Sequence, residues 1–236
     1  MANMHGLKLG LNPLFCVPVA KFEWRGANRF NSHVLSSLGA LDIGLVRGNR
    51  LKMENGVPIN QIGETWIAQF NDFVLEHADM LLRSILGVDV MQALANHRSM
   101  AGASFRDASA SAVDERFSSH SLSVSSQWLN VYRAGQFHPP HTHPGALLAA
   151  VYCVTLPDDC RAPEGSLAFS DPRAQALNHA PGLSIASEGV DVLCRLEPGE
   201  LVVFPGWLGH YVIPHTSSKE RVTVSLNLGF APSQEG

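Results

Sequence analysis

Arg221-Val-Thr-Val-Ser-Leu-Asn-Leu-Gly229 is the stretch on which the fold turns. Val222, Val224, Leu226 and Leu228 alternate with Thr223, Ser225, Asn227 and Gly229. A period of two describes a half-buried strand with one apolar face. Upstream of it, Leu201–Phe204, Val192–Leu196 and Leu167–Phe169 are further short strand-like runs, and Ala146–Leu156 is a continuous apolar run. Turn sequences separate them at Pro157-Asp158, Pro163-Glu-Gly165, Pro181-Gly182 and Pro198-Gly199. From Trp128 onward the chain therefore reads as a sandwich or barrel of jelly-roll type.

Nearer the N-terminus the period is helical. Asn28 is placed to cap a helix with Phe30, Val34, Leu35 and Leu38 on one face, ending before Gly39. A longer helix is expected from about Glu64 to Leu86, with the stripe Trp66, Phe70, Phe73, His77, Met80 and Leu81 as core packing and Gly87 as its stop. Val90–Ala95 suits another short helix. Residues 98–126 are rich in Ser and Ala and read as a surface loop, with a lid over a site as the functional alternative. The expectation is a mainly β fold in one domain over 1–236. It comprises an N-terminal helical buttress (1–97), the Ser/Ala-rich loop (98–126) and a jelly-roll core (127–230), with the helices packed on one sheet.

Composition narrows the functions. A chain of 236 residues has room for one domain of this kind, and a net charge of -4 without any Lys/Arg run argues against nucleic acid and anionic membranes as partners. The longest apolar stretch falls short of the roughly 20 residues that span a bilayer. No secretion signal is legible in Met1–Phe15, and Cys16, Cys153, Cys160 and Cys194 form no CxxC pair. They read as reduced thiols of a cytoplasmic protein, and nothing marks one as an activated nucleophile.

Of eleven histidines, three crowd into Asn130-Val-Tyr-Arg-Ala-Gly-Gln-Phe-His-Pro-Pro-His-Thr-His-Pro144. In extended chain His141 and His143 point to the same side and can converge on one ion, and imidazole suits zinc, iron, copper or nickel. Alone, the pair is equally readable as exposed histidines in a Pro-rich turn. His210 follows Phe204-Pro-Gly-Trp-Leu-Gly209, and Arg221 lies beyond the turn sequence Pro214–Lys219. A hairpin folded near His215-Thr216 would set His210 opposite Arg221 across two strands. A cation beside a metal ligand is costly unless an anion sits between them, which points to a dicarboxylate that chelates the ion at one end and pairs with Arg221 at the other.

These residues resemble the Fe(II)/2-oxoglutarate-dependent oxygenases. Tyr132 through His143 falls in register with the Y-x-x-G-x-x-x-x-x-H-x-D stretch of prolyl-hydroxylase-like members. Ala149–Val154 and Glu164-Gly-Ser-Leu-Ala-Phe169 are similar to the two strands that follow, and Pro198-Gly-Glu-Leu-Val-Val-Phe-Pro205 to the segment before the distal histidine. His210 and Arg221 match that histidine and the arginine that holds the far carboxylate of 2-oxoglutarate. The match covers roughly 128–229. Asn12-Pro-Leu-Phe15 through Pro18, His141-Thr-His-Pro-Gly145 and Asp171-Pro-Arg173 are also similar to a small bacterial subfamily of these oxygenases.

The resemblance implies a double-stranded β-helix of cupin-like, jelly-roll form. It implies Fe(II) as the metal, 2-oxoglutarate and dioxygen as co-substrates, and a small molecule or peptide as the substrate. Homodimers are common among small oxygenases of this kind. His141, His143 and His210 are the expected metal ligands, and no other catalytic residue is assigned. Arg221 is expected to bind 2-oxoglutarate, assisted by Tyr132, Asn130 and Asn227, each of which reads equally well as a satisfied polar group inside the barrel. One departure matters: His143 stands where the family carries a carboxylate. Asp171, then Glu164, are the alternatives for that ligand, and His138 reads as pocket wall, with a part in the ligand set as its alternative. Arg173 is open to substrate contact or a surface ion pair. Three histidines also suit zinc. This keeps two rival readings: a three-His cupin-like dioxygenase that does not use 2-oxoglutarate, and a non-enzymatic barrel binding metal and a small acid.

Overall fold

The computed structural model describes residues 17–40, 57–58, 64–86, 120–172 and 191–232. Among them are two helices, α1 (Ala27–Ala40) and α2 (Glu64–Leu86). The strands are β1 (Ala20–Glu23), β2 (Val57–Pro58), β3 (His120–Tyr132), β4 (His138–His141), β5 (Leu148–Thr155), β6 (Leu167–Ser170), β7 (Asp191–Cys194), β8 (Glu200–Pro205), β9 (His210–Val212) and β10 (Arg221–Pro232). They form a six-stranded sheet in the order β1-β8-β5-β10-β3-β2 and a four-stranded sheet in the order β4-β9-β6-β7. Every pairing is antiparallel. This is the expected mainly β, jelly-roll architecture. No helix of the described residues is long and apolar enough to cross a membrane.

The large sheet is buried on both faces, which explains the unbroken apolar run in β5. Leu148, Ala150, Tyr152 and Val154 pack outward against the helices, in one core with Phe30, Val34, Phe70 and Val74. Ala149, Val151 and Cys153 pack inward, in a second core with Leu167, Phe169, Phe204 and Val212. Trp24, just after β1, ties the helices to the sheet: it stacks on Phe73 at 5.3 Å and meets Tyr152 edge-on at 6.0 Å.

The same geometry changes the reading of β10. Its Val222, Val224, Leu226 and Leu228 join the helix-side core, but the opposite face is buried too, with Thr223 and Ser225 at 1% and 8% exposure. The polar positions face an interior between two sheets, not solvent.

Several boundaries differ from the sequence reading. Ala20–Glu23 is a strand, where only helices were expected, because it pairs with β8 from Ala20↔Val203 to Glu23↔Glu200. Residues 120–126 extend β3 and pair with β10, although they were assigned to the loop. Their serines Ser121, Ser123 and Ser125 alternate with Leu122 and Val124, which are packed against the core, and the Ser123 and Ser125 hydroxyls donate to the carbonyls of Gly229 and Asn227. Helix α1 starts before Asn28 and runs through Gly39; the Ala27 N–H is held by the Trp24 carbonyl at 3.1 Å, so the turn and not Asn28 begins the helix. Leu35 (41% exposed) and Met80 (52%) point outward, because the buried stripes run through Phe30, Val34 and Leu38 and through Phe70, Phe73, Val74, Ala78 and Leu81. Gly87, Val90–Ala95, residues 98–119, Arg173 and Pro181-Gly182 lie outside the described residues.

Candidate functional site

In the small sheet, β4 and β9 pair so that His141 stands directly opposite His210, their rings 4.2 Å apart. His143 lies two residues beyond β4. Its backbone N–H donates to the Gly206 carbonyl (2.8 Å), and its ring lies nearly parallel to that of His210 at 5.0 Å. Ligand atoms of His141, His143 and His210 all fall within 4.8 Å of one another.

Backbone carbonyls orient two of these rings. The Nδ1–H of His141 donates to Pro139 O at 2.9 Å and that of His210 to Leu208 O at 2.8 Å. A carbonyl only accepts, so each Nδ1 carries the proton and each Nε2 keeps its lone pair. Burial, then the neighbouring imidazoles, push His210 down to about 3. Burial and the nearby His141 push His143 down to about 4. Burial lowers His141 as well. All three are neutral at pH 7, as metal ligands must be.

The Nε2 atoms of His143 and His210 are 3.2 Å apart. Two bonds of about 2.1 Å to one ion would set such atoms about 3.0 Å apart at a right angle and about 3.4 Å apart at the tetrahedral angle. The donor set fits a divalent ion. Neither Asp171 nor Glu164 joins it, and among the described residues no carboxylate does. Glu164 instead accepts a hydrogen bond from the Thr216 hydroxyl at 2.7 Å. His138 also lies outside the group; it lines the pocket with its ring 3.8 Å from that of His141.

Arg221 reaches the same pocket by a route other than the expected hairpin. Strand β9 pairs with β4 and β6, whereas β10 pairs with β3 and β5. Pro214–Lys219 thus carries the chain from one sheet to the other, because each strand finds its hydrogen-bond partners in a different layer. His210 and Arg221 meet across the interior, both lining one cavity. Arg221 is 1% exposed, and among the described residues its Nε and Nη1 have no hydrogen-bond partner. Its guanidinium carbon lies 5.2 Å from the centroid of the Tyr132 ring. A buried guanidinium favours an anion as its partner.

This constellation agrees with the comparisons. Residues 126–227 match the family described as "Putative 2OG-Fe(II) oxygenase". This segment is similar to a 2OG-Fe(II) oxygenase domain. Proteins of this family use Fe(II) and 2-oxoglutarate. No curated protein sequence matches the chain. Among solved structures, the fold is similar to SnoN, a non-heme alpha ketoglutarate dependent epimerase from nogalamycin biosynthesis, at 12% identity over 92% of this chain and 80% of that one, with a TM-score of 0.51. HygX from Streptomyces hygroscopicus, solved with nickel and 2-oxoglutarate bound, is 11% identical over 90% of this chain and 82% of that one, with a TM-score of 0.48. A 2OG-Fe(II) oxygenase family oxidoreductase from Burkholderia pseudomallei is 12% identical over 46% of this chain and 45% of that one, with a TM-score of 0.35.

The cavity brings the remaining candidates together unevenly. Tyr132 lines the pocket, and burial, partly opposed by Arg221, pushes its phenol up to about 12. Asn130 stands behind the pocket wall, with its amide nitrogen on Ser225 and Thr223. Asn227 lies close enough to His143 to favour that ring's charged form, yet its buried Oδ1 makes no well-formed hydrogen bond among the described residues. Cys153 packs in the inner core, and burial pushes its thiol up to about 12, so it stays protonated and unreactive. Trp128, Thr223 and Ser225 line the cavity without having been singled out from the sequence. Their signal was phase: Thr223 and Ser225 share the strand face of Arg221.

Proposed function

We propose that the chain is an Fe(II)- and 2-oxoglutarate-dependent oxygenase that hydroxylates a small molecule or peptide. His141, His143 and His210 are the residues that would hold Fe(II), and Arg221 the one that would pair with the far carboxylate of 2-oxoglutarate. When bound, iron and 2-oxoglutarate supply the oxidising chemistry, with succinate and CO2 as the co-product of substrate oxidation.

The chain's own residues supply the rest. The Pro139 and Leu208 carbonyls hold His141 and His210 in the tautomer that directs Nε2 at the ion. Tyr132, protonated at neutral pH, offers an O–H to the co-substrate beside Arg221. Val151, Leu167 and Val212 form apolar walls that exclude water, so the charge pairing at Arg221 is stronger than in solvent. The observation that carries the reading is Arg221: a buried guanidinium whose Nε and Nη1 find no partner among the described residues, in the cavity of three convergent histidines. The test is succinate release from 2-oxoglutarate, expected only with Fe(II) and expected to vanish in His210→Ala. Protein that takes up no metal under any loading condition would overturn the proposal.

The all-histidine ligand set favours a second reading, a dioxygenase that does not use 2-oxoglutarate. Arg221→Ala separates the two: an unchanged affinity for 2-oxoglutarate supports the second.

A further inference from the structure

Among the described residues that line the cavity, His138 is the one imidazole outside the metal-binding group. It stands at the start of β4, opposite Val212, and its ring lies 3.8 Å from that of His141. The Pro139 carbonyl holds both rings. It accepts from the Nδ1–H of His141 at 2.9 Å and from that of His138 at 3.1 Å. A carbonyl oxygen has two lone pairs and can serve two donors. His138 therefore shares the tautomer of His141, with its proton on Nδ1 and a lone pair on Nε2. Among the described residues no donor reaches that Nε2. A second proton would make the ring a cation against His141, in the cavity that already holds Arg221, so these surroundings favour the neutral, accepting form.

The polarity of this nitrogen limits what can use it. 2-Oxoglutarate brings two carboxylates and a ketone, all acceptors, and has no proton to offer an imidazole lone pair. The partner of His138 is then a different molecule. We infer that His138 is a substrate-contact residue whose Nε2 accepts from a hydroxyl or amide N–H of the substrate, next to the carbon presented to the metal site. His138 has this part only on the oxygenase reading of the cavity, which it deepens by naming the substrate's chemistry. An ether, ester or carboxylate oxygen at the same place would set lone pair against lone pair and be rejected.

The test uses the full chain loaded with Mn(II) and 2-oxoglutarate, with proton relaxation showing which small probes sit beside the paramagnetic ion. The probes are matched pairs: cyclohexanol with methoxycyclohexane, and N-methylacetamide with N,N-dimethylacetamide. Wild type is expected to hold the donor-bearing member of a pair about three- to tenfold more tightly, the scale of one hydrogen bond. His138→Phe keeps a ring beside His141 but has no lone pair, and should hold both members alike. His138→Gln brings back an acceptor oxygen and should bring back the preference, which a merely structural role would not do. Both variants should still bind Mn(II) and 2-oxoglutarate. No preference in wild type, or a preference that survives in His138→Phe, overturns the role of His138. Loss of Mn(II) in both variants would move His138 into the ligand set and overturn it as well. The oxygenase reading fails differently: wild type would then bind no 2-oxoglutarate, or Arg221→Ala would bind it as well as wild type. If 2-oxoglutarate binding depends on Arg221 while the probes ignore His138, only the role of His138 is lost.

Discussion

Arg221 and Tyr132 are direct partners across the β3–β10 ladder, with the guanidinium carbon 5.2 Å from the phenol ring centroid and neither residue more than 5% exposed. A cation over an aromatic face gains about 2 kcal/mol when desolvated, whereas burying a charge without a counter-ion costs several. The interior therefore favours an anion beside this pair.

That imbalance predicts opposite effects of one substitution. Arg221→Met, which fills the space with an apolar chain, should leave the ligand-free protein at least as stable as wild type and on the order of 1 kcal/mol more stable. Adding 2-oxoglutarate with Mn(II) should reverse the order, because at about 100 times the dissociation constant a ligand adds about 2.7 kcal/mol to the protein that binds it. Thermal unfolding with and without 2-oxoglutarate checks both halves. A variant that melts well below wild type without ligand would show that Arg221 has a partner in the folded protein.

The histidines predict a pH response of the metal-free protein. His210 and His143 are held down at about 3 and about 4 in the folded state, against an ordinary 6.5 in the unfolded chain. Above pH 6.5 both states carry neutral imidazoles, and their contribution to stability is fully present. Between pH 6.5 and 4 the unfolded chain takes up protons that the folded site refuses, so stability falls as the pH is lowered. Melting temperatures at pH 7, 5.5 and 4.5 should decline, and His210→Phe should flatten the decline. An equally steep decline in His210→Phe would assign it to other groups.

Two glycines should separate the two halves of the site. Gly165 has φ +68°, and a Cβ there would lie 2.9 Å from Leu156 Cδ1 and 3.3 Å from Arg221 Cδ. Gly165→Ala should strain the backbone and move Arg221, weakening 2-oxoglutarate more than metal. Gly206 supports the other end: a Cβ would fall 2.4 Å from the Ala146 carbonyl oxygen, and the Gly206 carbonyl receives the His143 N–H. Gly206→Ala should displace the His143 loop and weaken metal first. Metal and 2-oxoglutarate affinities measured on both variants check the contrast, and equal losses of both would show that the two ends move together.

The grouping of the three histidines was more legible in the sequence than the layering around them. Helix α2 was legible to its ends, because its apolar stripe keeps helical phase over many turns. The convergence of His141, His143 and His210 followed from side-chain alternation and order along the chain. The route from His210 to Arg221 was not legible: a turn sequence says that the chain reverses, not whether the next strand finds its partners in the same sheet or the facing one. Residues 120–126 were misread because serine-rich composition masked the alternation of Leu122 and Val124, and their pairing depends on β10, a hundred residues away. Asn130 was open between the co-substrate and a satisfied polar group of the barrel, and its amide nitrogen is held by Ser225 and Thr223 across the strand. Which partner satisfies a buried polar group is a property of strand register, and a single strand does not encode it.

The central claim is that three imidazoles, His143 among them, make the protein's ligand set where the family carries a carboxylate. Iron bound per chain after anaerobic loading, compared between wild type, His143→Ala, His143→Asp and His138→Ala, tests it most directly. Wild type, His143→Asp and His138→Ala should each hold one iron per chain, and His143→Ala should lose it at metal concentrations that saturate the others. Iron retained in His143→Ala as firmly as in wild type would contradict the claim.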